Sequence, residues 1–186
     1  MARPREISVT AVRDAALDVF REHGYERTSM HDLAEHTGAG NGSIYAAFGS
    51  KRGLFLAALE AYCGGRITLT TDALAGEDGA REAVRRYLLR IADDCTADPR
   101  RLGCLMVRSL AELADRDPEV VGICRRTLDA MEERIAARIG TGTGAGTLAH
   151  EILLFSQALI QAGATATSRR ELRESANAYV DRLALA

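Results

Sequence analysis

Tryptophan is absent from this chain, proline occurs three times in 186 residues, and aromatic side chains make up only 5%. So little proline, beside 47% hydrophobic and 27% charged residues, excludes a disordered chain, and abundant alanine and leucine favour helix. No apolar run approaches the ~20 residues that span a bilayer. Met1-Ala-Arg-Pro-Arg-Glu leads into no hydrophobic signal core, so the expectation is a cytoplasmic chain with no membrane partner. Cys63, Cys95, Cys104 and Cys124 lie far apart with no C-x-x-C pair, which fits reduced thiols rather than a disulfide framework. His23, His31, His36 and His150 show neither H-E-x-x-H nor paired ligand spacing, so no metal and no cofactor is expected. Gly-x-Ser-x-Gly and Ser-x-x-Lys are missing as well, and a small helical enzyme is only a remote alternative. A net charge of −2 announces no bulk attraction to nucleic acid.

What is present is helix punctuation. Apolar residues step by three or four from Ser8 or Thr10 to His23 (Val12, Ala16, Val19, Phe20), and Gly24 supplies a stop. Ser29-Met-His-Asp32 reads as a capping box opening a short helix that Gly38 ends. A third short segment carries Ile44, Tyr45 and Phe48, and Ser50 caps a long helix. Further segments follow from Ala80 through Cys95, closed by Asp98-Pro99, at 102–115, and from Pro118 through an apolar stripe of Val121, Cys124, Leu128, Met131, Ile135 and Ile139. Thr141 to Gly146 breaks the pattern, and although Thr141 to Thr147 is glycine-rich, it joins helix to helix and reads as a linker rather than a phosphate loop. Leu148 to Ala166 is apolar on nearly every face, including Ile152, Leu153, Phe155, Leu159 and Ile160, which means deep burial or a subunit contact, and so much apolar surface predicts a two-fold contact with a second copy. Leu172, Ala176, Tyr179 and Leu183 mark a last helix that joins that contact. Nothing alternates with period two for long, so the fold is all-α with about nine helices.

Residues 28–48 have helix-turn-helix geometry: a capped short helix, a glycine turn and a second short helix. Around Asn41 to Phe48 the second helix is slim and polar, which suits a major groove, and asparagine reads adenine edges. Residues 1–60 hold seven Lys/Arg and eight Asp/Glu, yet no acidic residue lies between Glu35 and Glu60, where Lys51 and Arg52 stand. Many helical proteins contain short capped helices, so geometry alone leaves DNA binding and an ordinary helical corner both open.

Gly24-Tyr25, Thr28-Ser29, Asp32-Leu33-Ala34, Gly38, Gly42-Ser43-Ile44-Tyr45, Phe48 and Ser50-Lys51, in this order and spacing, strongly resemble the TetR/AcrR family of transcriptional regulators. The resemblance implies a three-helix DNA-binding domain (residues 1–50) and a helical ligand-binding and dimerisation domain (51–186). It also implies repression of a pseudo-palindromic double-stranded DNA operator by a homodimer, through the last two long helices, relieved by a small apolar effector. Position by position it implies Ser29 near phosphate, Asn41, Gly42 and Ser43 at the groove, Tyr45 on the backbone and Lys51 on phosphate. Asn41 and Ala46-Ala47 depart from the larger or basic residues common there, and Arg3 and Arg5 are either a minor-groove arm or a solvated tail. Tyr62, Met106, Leu110 and Phe155 are the effector-pocket candidates. An alternative trigger is Cys104, which follows Arg100 and Arg101 near a helix start; cations and a helix dipole activate a thiol that solvent can reach, and burial makes it inert.

Overall fold

Helix ends fall where side chains satisfy orphan backbone groups. The computed structural model describes residues 8–140 and 144–185. Among these residues it has nine helices and no strand: α1 Val9–His23, α2 Met30–Thr37, α3 Asn41–Phe48, α4 Lys51–Leu74, α5 Ala80–Ala97, α6 Leu105–Leu113, α7 Pro118–Ile139, α8 Ala145–Ala164 and α9 Arg169–Arg182. Ser8 caps α1, accepting from Ala11 N, and capping boxes open α2 (Ser29, Asp32) and α9 (Ser168, Glu171). At the far end of α9, Arg81 donates to the carbonyls of Val180, Leu183 and Leu185, tying the end of the helix and the residues after it to α5. The Arg3–Arg5 arm and residues 141–143 of the glycine-rich linker lie outside the described residues.

The helices pack as two compact units, dividing inside α4 after Cys63 and inside α7 after Cys124. The first unit buries Val12, Ala16, Val19 and Phe20 of α1, Leu33, Ile44, Leu54, Phe55 and Leu59, and Leu105, Met106 and Leu113 of α6. Phe20 meets Phe55 edge-on at 5.1 Å, and Tyr25 lies 4.8 Å from Phe55. In the second unit α5 buries Val84, Tyr87, Leu88 and Ile91, with Ile152, Leu159 and Ile160 of α8 and Leu172, Ala176 and Val180 of α9 also buried. α8 and α5 approach closely: a Cβ on Gly163 would stand 2.7 Å from Cys95 Sγ.

Two expectations are corrected here. Ile152, Leu153, Leu159 and Ile160 are all at or below 4% exposure, buried in the chain's own core rather than left for a second copy; Leu154, 56% exposed, is the large apolar side chain α8 turns outward. In α7 the buried stripe is Val120, Ile123, Cys124, Thr127, Met131 and Ile135, whereas Val121, Leu128 and Ile139 are half-buried. Counting apolar letters alone passed over Thr127 and set the start of the stripe one residue late.

Carboxylates bound by arginine punctuate the surface. Asp93 is held below the usual carboxylate range first by Arg169 and then by Arg173, and Asp78 by Arg86. Asp117 is lowered by Arg52, and the capping carboxylates Asp32 and Glu171 by Ser29 and Ser168. A carboxyl group whose folded pKa is depressed contributes stability above its unfolded value and loses it as pH falls. The urea midpoint is therefore expected to stay level from pH 8 to about 5 and to drop below about pH 4. A midpoint unchanged at pH 3 would contradict these pairings.

Candidate nucleic-acid interface

The segment expected to read DNA is built from α2, a three-residue turn and α3. Asp32 Oδ2 accepts both the backbone N–H and the hydroxyl of Ser29 at 2.8 Å, and Ser29 Oγ accepts Asp32 N at 3.1 Å. Ser29 is thus exposed, as a phosphate neighbour must be, but its hydroxyl proton is engaged with Asp32. Gly38 ends α2 in the left-handed conformation, φ +69°, which glycine adopts without strain. The turn then delivers Gly40 as the cap of α3, where Ser43 N and Ile44 N close onto its carbonyl at 2.9 and 3.1 Å.

α3 is anchored by very little. Ile44, 1% exposed, is its buried side chain and Phe48 is half-buried. Asn41, Gly42, Ser43, Tyr45, Ala46 and Ala47 are all exposed, Tyr45 at 50%. A Cβ added at Gly42 would meet no atom within 4 Å. The face is slim, acid-free and set with one amide, one hydroxyl and one phenol, which suits a ~12 Å major groove. The corner into α4 is tight, for Ser50 Oγ accepts Gly53 N at 3.0 Å and a Cβ on Gly53 would lie 2.0 Å from the Phe48 carbonyl oxygen.

Lys51 and Arg52 are less free than the sequence suggested. Lys51 Nζ donates to Tyr25 O (3.0 Å) and Thr28 O (2.9 Å) and stands 4.2 Å over the Tyr25 ring. Arg52 is forked onto Asp117 (2.7 and 2.9 Å) and reaches Glu119 at 2.7 Å, and these carboxylates raise its pKa. The stretch that is free of acid in sequence is not free of it in space.

A second set of residues was missed in the sequence. Arg108, Glu112 and Arg116 recur every four residues along α6 and the turn after it. Arg108 donates to Glu22 O at 2.8 Å, Glu112 Oε2 accepts Tyr25 N at 2.8 Å and Glu26 N at 3.2 Å, and Arg116 pairs with Glu26 at 3.1 Å. The Arg-x3-Glu-x3-Arg spacing was legible as a charged face, but its partner, 86–87 residues away at the Glu112 contacts, was not.

Of the pocket candidates, Tyr62, Met106 and Leu110 belong to the first unit and Phe155 to the second. Met106 is buried, Tyr62 lies under the Arg21 guanidinium at 5.8 Å, and Phe155 stacks on Tyr179 at 4.0 Å. Two clefts are lined by other residues: one of about 440 Å³ by Val19, His23, Asp32, Glu35 and His36, and one of about 300 Å³ by Leu69, Asp72, Ala73, Arg86 and Arg90. Cys104 does not meet the conditions for a sensor. It is 4% exposed, Arg100 binds Asp98, and Arg101 donates to the carbonyls of Gly163 and Thr167. Burial pushes the half-buried Cys95 thiol up, with Asp94 adding to the shift. Among the described residues no cluster of three His, Cys, Asp or Glu side chains is arranged to hold a metal, and no helix is long and apolar enough to cross a membrane.

Residues 12–58 match the family model described as bacterial regulatory proteins, tetR family. An HTH-type transcriptional regulator of Bacillus subtilis strain 168, YezE, is 32% identical over 134 residues, which cover 72% of this chain and 69% of the relative. The chain belongs to the TetR family. Within the family, the HTH-type transcriptional repressor ComR of Escherichia coli K12 is 33% identical over 134 residues, 71% of this chain and 63% of ComR. The chain thus spans about two thirds of the length of these curated relatives. Among solved structures, a cysteine mutant of the TetR family regulator CifR, complexed with a 26-bp operator duplex, superposes with a TM-score of 0.81 at 28% identity, over 97% of this chain and 99% of that one. The TetR-family segment 12–58 takes in every residue expected at DNA, from Ser29 to Lys51.

Proposed function

We propose that this TetR-family regulator is a cytoplasmic repressor that binds a pseudo-palindromic DNA operator as a homodimer and releases it on binding a small apolar effector. In this reading residues 1–50 read DNA and 51–186 bind the effector and the second copy. The observation that carries it is α3, which spends one buried side chain, Ile44, on the fold and presents Asn41, Gly42, Ser43 and Tyr45 outward. Two α3 helices related by a two-fold axis enter successive major grooves about 34 Å apart. On α8 and α9 the exposed Leu154, beside the Phe155–Tyr179 stack, supplies the apolar centre of the dimer contact. Tyr62, Met106, Leu110 and Phe155 remain the proposed effector contacts. The operator complex of CifR supports the DNA assignment by analogy.

Selection from a random-sequence duplex pool tests it. Wild type is expected to enrich an inverted repeat. Asn41→Ala should relax preference at one symmetric pair of positions, at a cost of about 1–3 kcal/mol, whereas Tyr45→Phe should weaken all sequences alike. An unchanged base profile for Asn41→Ala removes α3 from the groove, and a stable monomer in light scattering removes the palindrome.

A further inference from the structure

Gly24 leaves α1 at φ +81° and its own N–H returns to Phe20 O at 2.9 Å, so the next two amides, Tyr25 and Glu26, have no helical partner. Both are taken by a single oxygen, Oε2 of Glu112. The other carboxylate oxygen occupies the space over Gly24 where a side chain would begin: a Cβ there would lie 1.9 Å from Glu112 Oε1. Lys51 takes the carbonyls of Tyr25 and Thr28, and Thr28 Oγ1 ties back to Gly24 O at 2.6 Å. The loop from Gly24 to Thr28 is therefore gripped by an anion on its N–H groups and a cation on its C=O groups. It runs directly into Ser29, the cap of α2, and so sets the angle at which α2 and α3 leave α1. Arg108, one helical turn before Glu112, and Arg116, in the turn after α6, hold Glu22 O and the Glu26 carboxylate.

We propose that Glu112 is a positioning residue for DNA reading: accepting the Tyr25 and Glu26 amides, it sets the pose of the α2–α3 pair without touching DNA. The inference rests on the reading of α3 as the DNA-contacting helix. It has an electrostatic signature opposite to that of a bystander. Removing a carboxylate from a DNA-binding unit strengthens attraction to every duplex. Removing a positioning acceptor weakens the selected duplex and spares the unselected one.

The test uses the full chain and two probes: a duplex enriched by wild type from a random pool, and a scrambled duplex of equal length. Glu112→Ala is expected to weaken the enriched duplex about tenfold or more, as loss of charged hydrogen bonds does, and to leave scrambled binding unchanged or tighter. Glu112→Gln keeps an acceptor oxygen at the same reach and should stay within about threefold of wild type. Glu112→Asp keeps the charge but shortens the arm, and should lose affinity for the enriched duplex. If Glu112→Ala fails to show a cooperative thermal transition, the Gln and Asp variants decide the matter. Wild-type affinity in Glu112→Ala or Glu112→Asp, or a Gln variant as weak as the Ala variant, overturns the proposal. Failure of wild type to enrich any sequence overturns the DNA reading itself, and this inference with it.

Discussion

Lys51→Ala should lower both the stability of the protein and its affinity for every duplex tested. The ammonium donates to two backbone carbonyls, Tyr25 O and Thr28 O, and rests on the Tyr25 ring. Hydrogen bonds to a charged group contribute about 1.5–3 kcal/mol, and a partly desolvated cation over an aromatic face about 0.5–2 kcal/mol. The Lys51→Ala loss in urea unfolding is thus expected near 2–3 kcal/mol, because some of this returns as hydration. Lys51→Arg should not restore it, since a planar fork cannot sit between two carbonyls and a ring as a compact ammonium does. Two of the three N–H bonds are spent inside the fold, which leaves one for a phosphate. If that one reaches DNA, the slope of log affinity against log salt falls by about one in the variant. An unchanged unfolding midpoint would show that the two carbonyl contacts contribute nothing.

The sequence expected Lys51 on phosphate because resemblance carries roles, not hydrogen bonds. The distinction runs through the whole molecule. Local chemistry was readable: the Ser29–Asp32 box and the stops at Gly24 and Gly38 are settled within four residues, and the structure places each as expected. The all-α class followed from the same short-range signals. Contacts made over long separations were not readable. Arg52 looked like a free cation until the turn into α7 brought Asp117 and Glu119 to it across 65–67 residues. Glu112 gave no signal in the sequence beyond its Arg-x3-Glu-x3-Arg spacing, because the amides it binds lie 86–87 residues away. Cys104 combined neighbouring arginines with a helix start, yet its exposure depended on packing that no local pattern encodes. In the same way Ile152, Leu153, Leu159 and Ile160 of α8 turn inward, since an all-round apolar helix does not say which of its faces meets its own chain.

Phe55→Ala is expected to have the largest effect on stability. Phe55 is 1% exposed and its ring meets Phe20 edge-on and Tyr25 at a tilt. Truncating a buried phenylalanine costs about 3–5 kcal/mol, combining lost transfer energy with the cavity left behind. That is a large share of the 5–15 kcal/mol that keeps a typical domain folded. The loss should also exceed what the vacated volume implies, because Tyr25 does three jobs at once. Its ring packs on Phe55 and carries Lys51, its carbonyl accepts from Lys51, and its amide donates to Glu112. With Phe55 gone, the ring has no wall behind it and the loop loses the geometry that seats both charged partners. Combining Phe55→Ala with Lys51→Ala should therefore cost less than the two single losses together, by about 0.5–3 kcal/mol, as happens when two substitutions share a neighbour. Urea unfolding of the four proteins measures that coupling. Strict additivity would mean that the ring packing and the charged grip on the loop act independently.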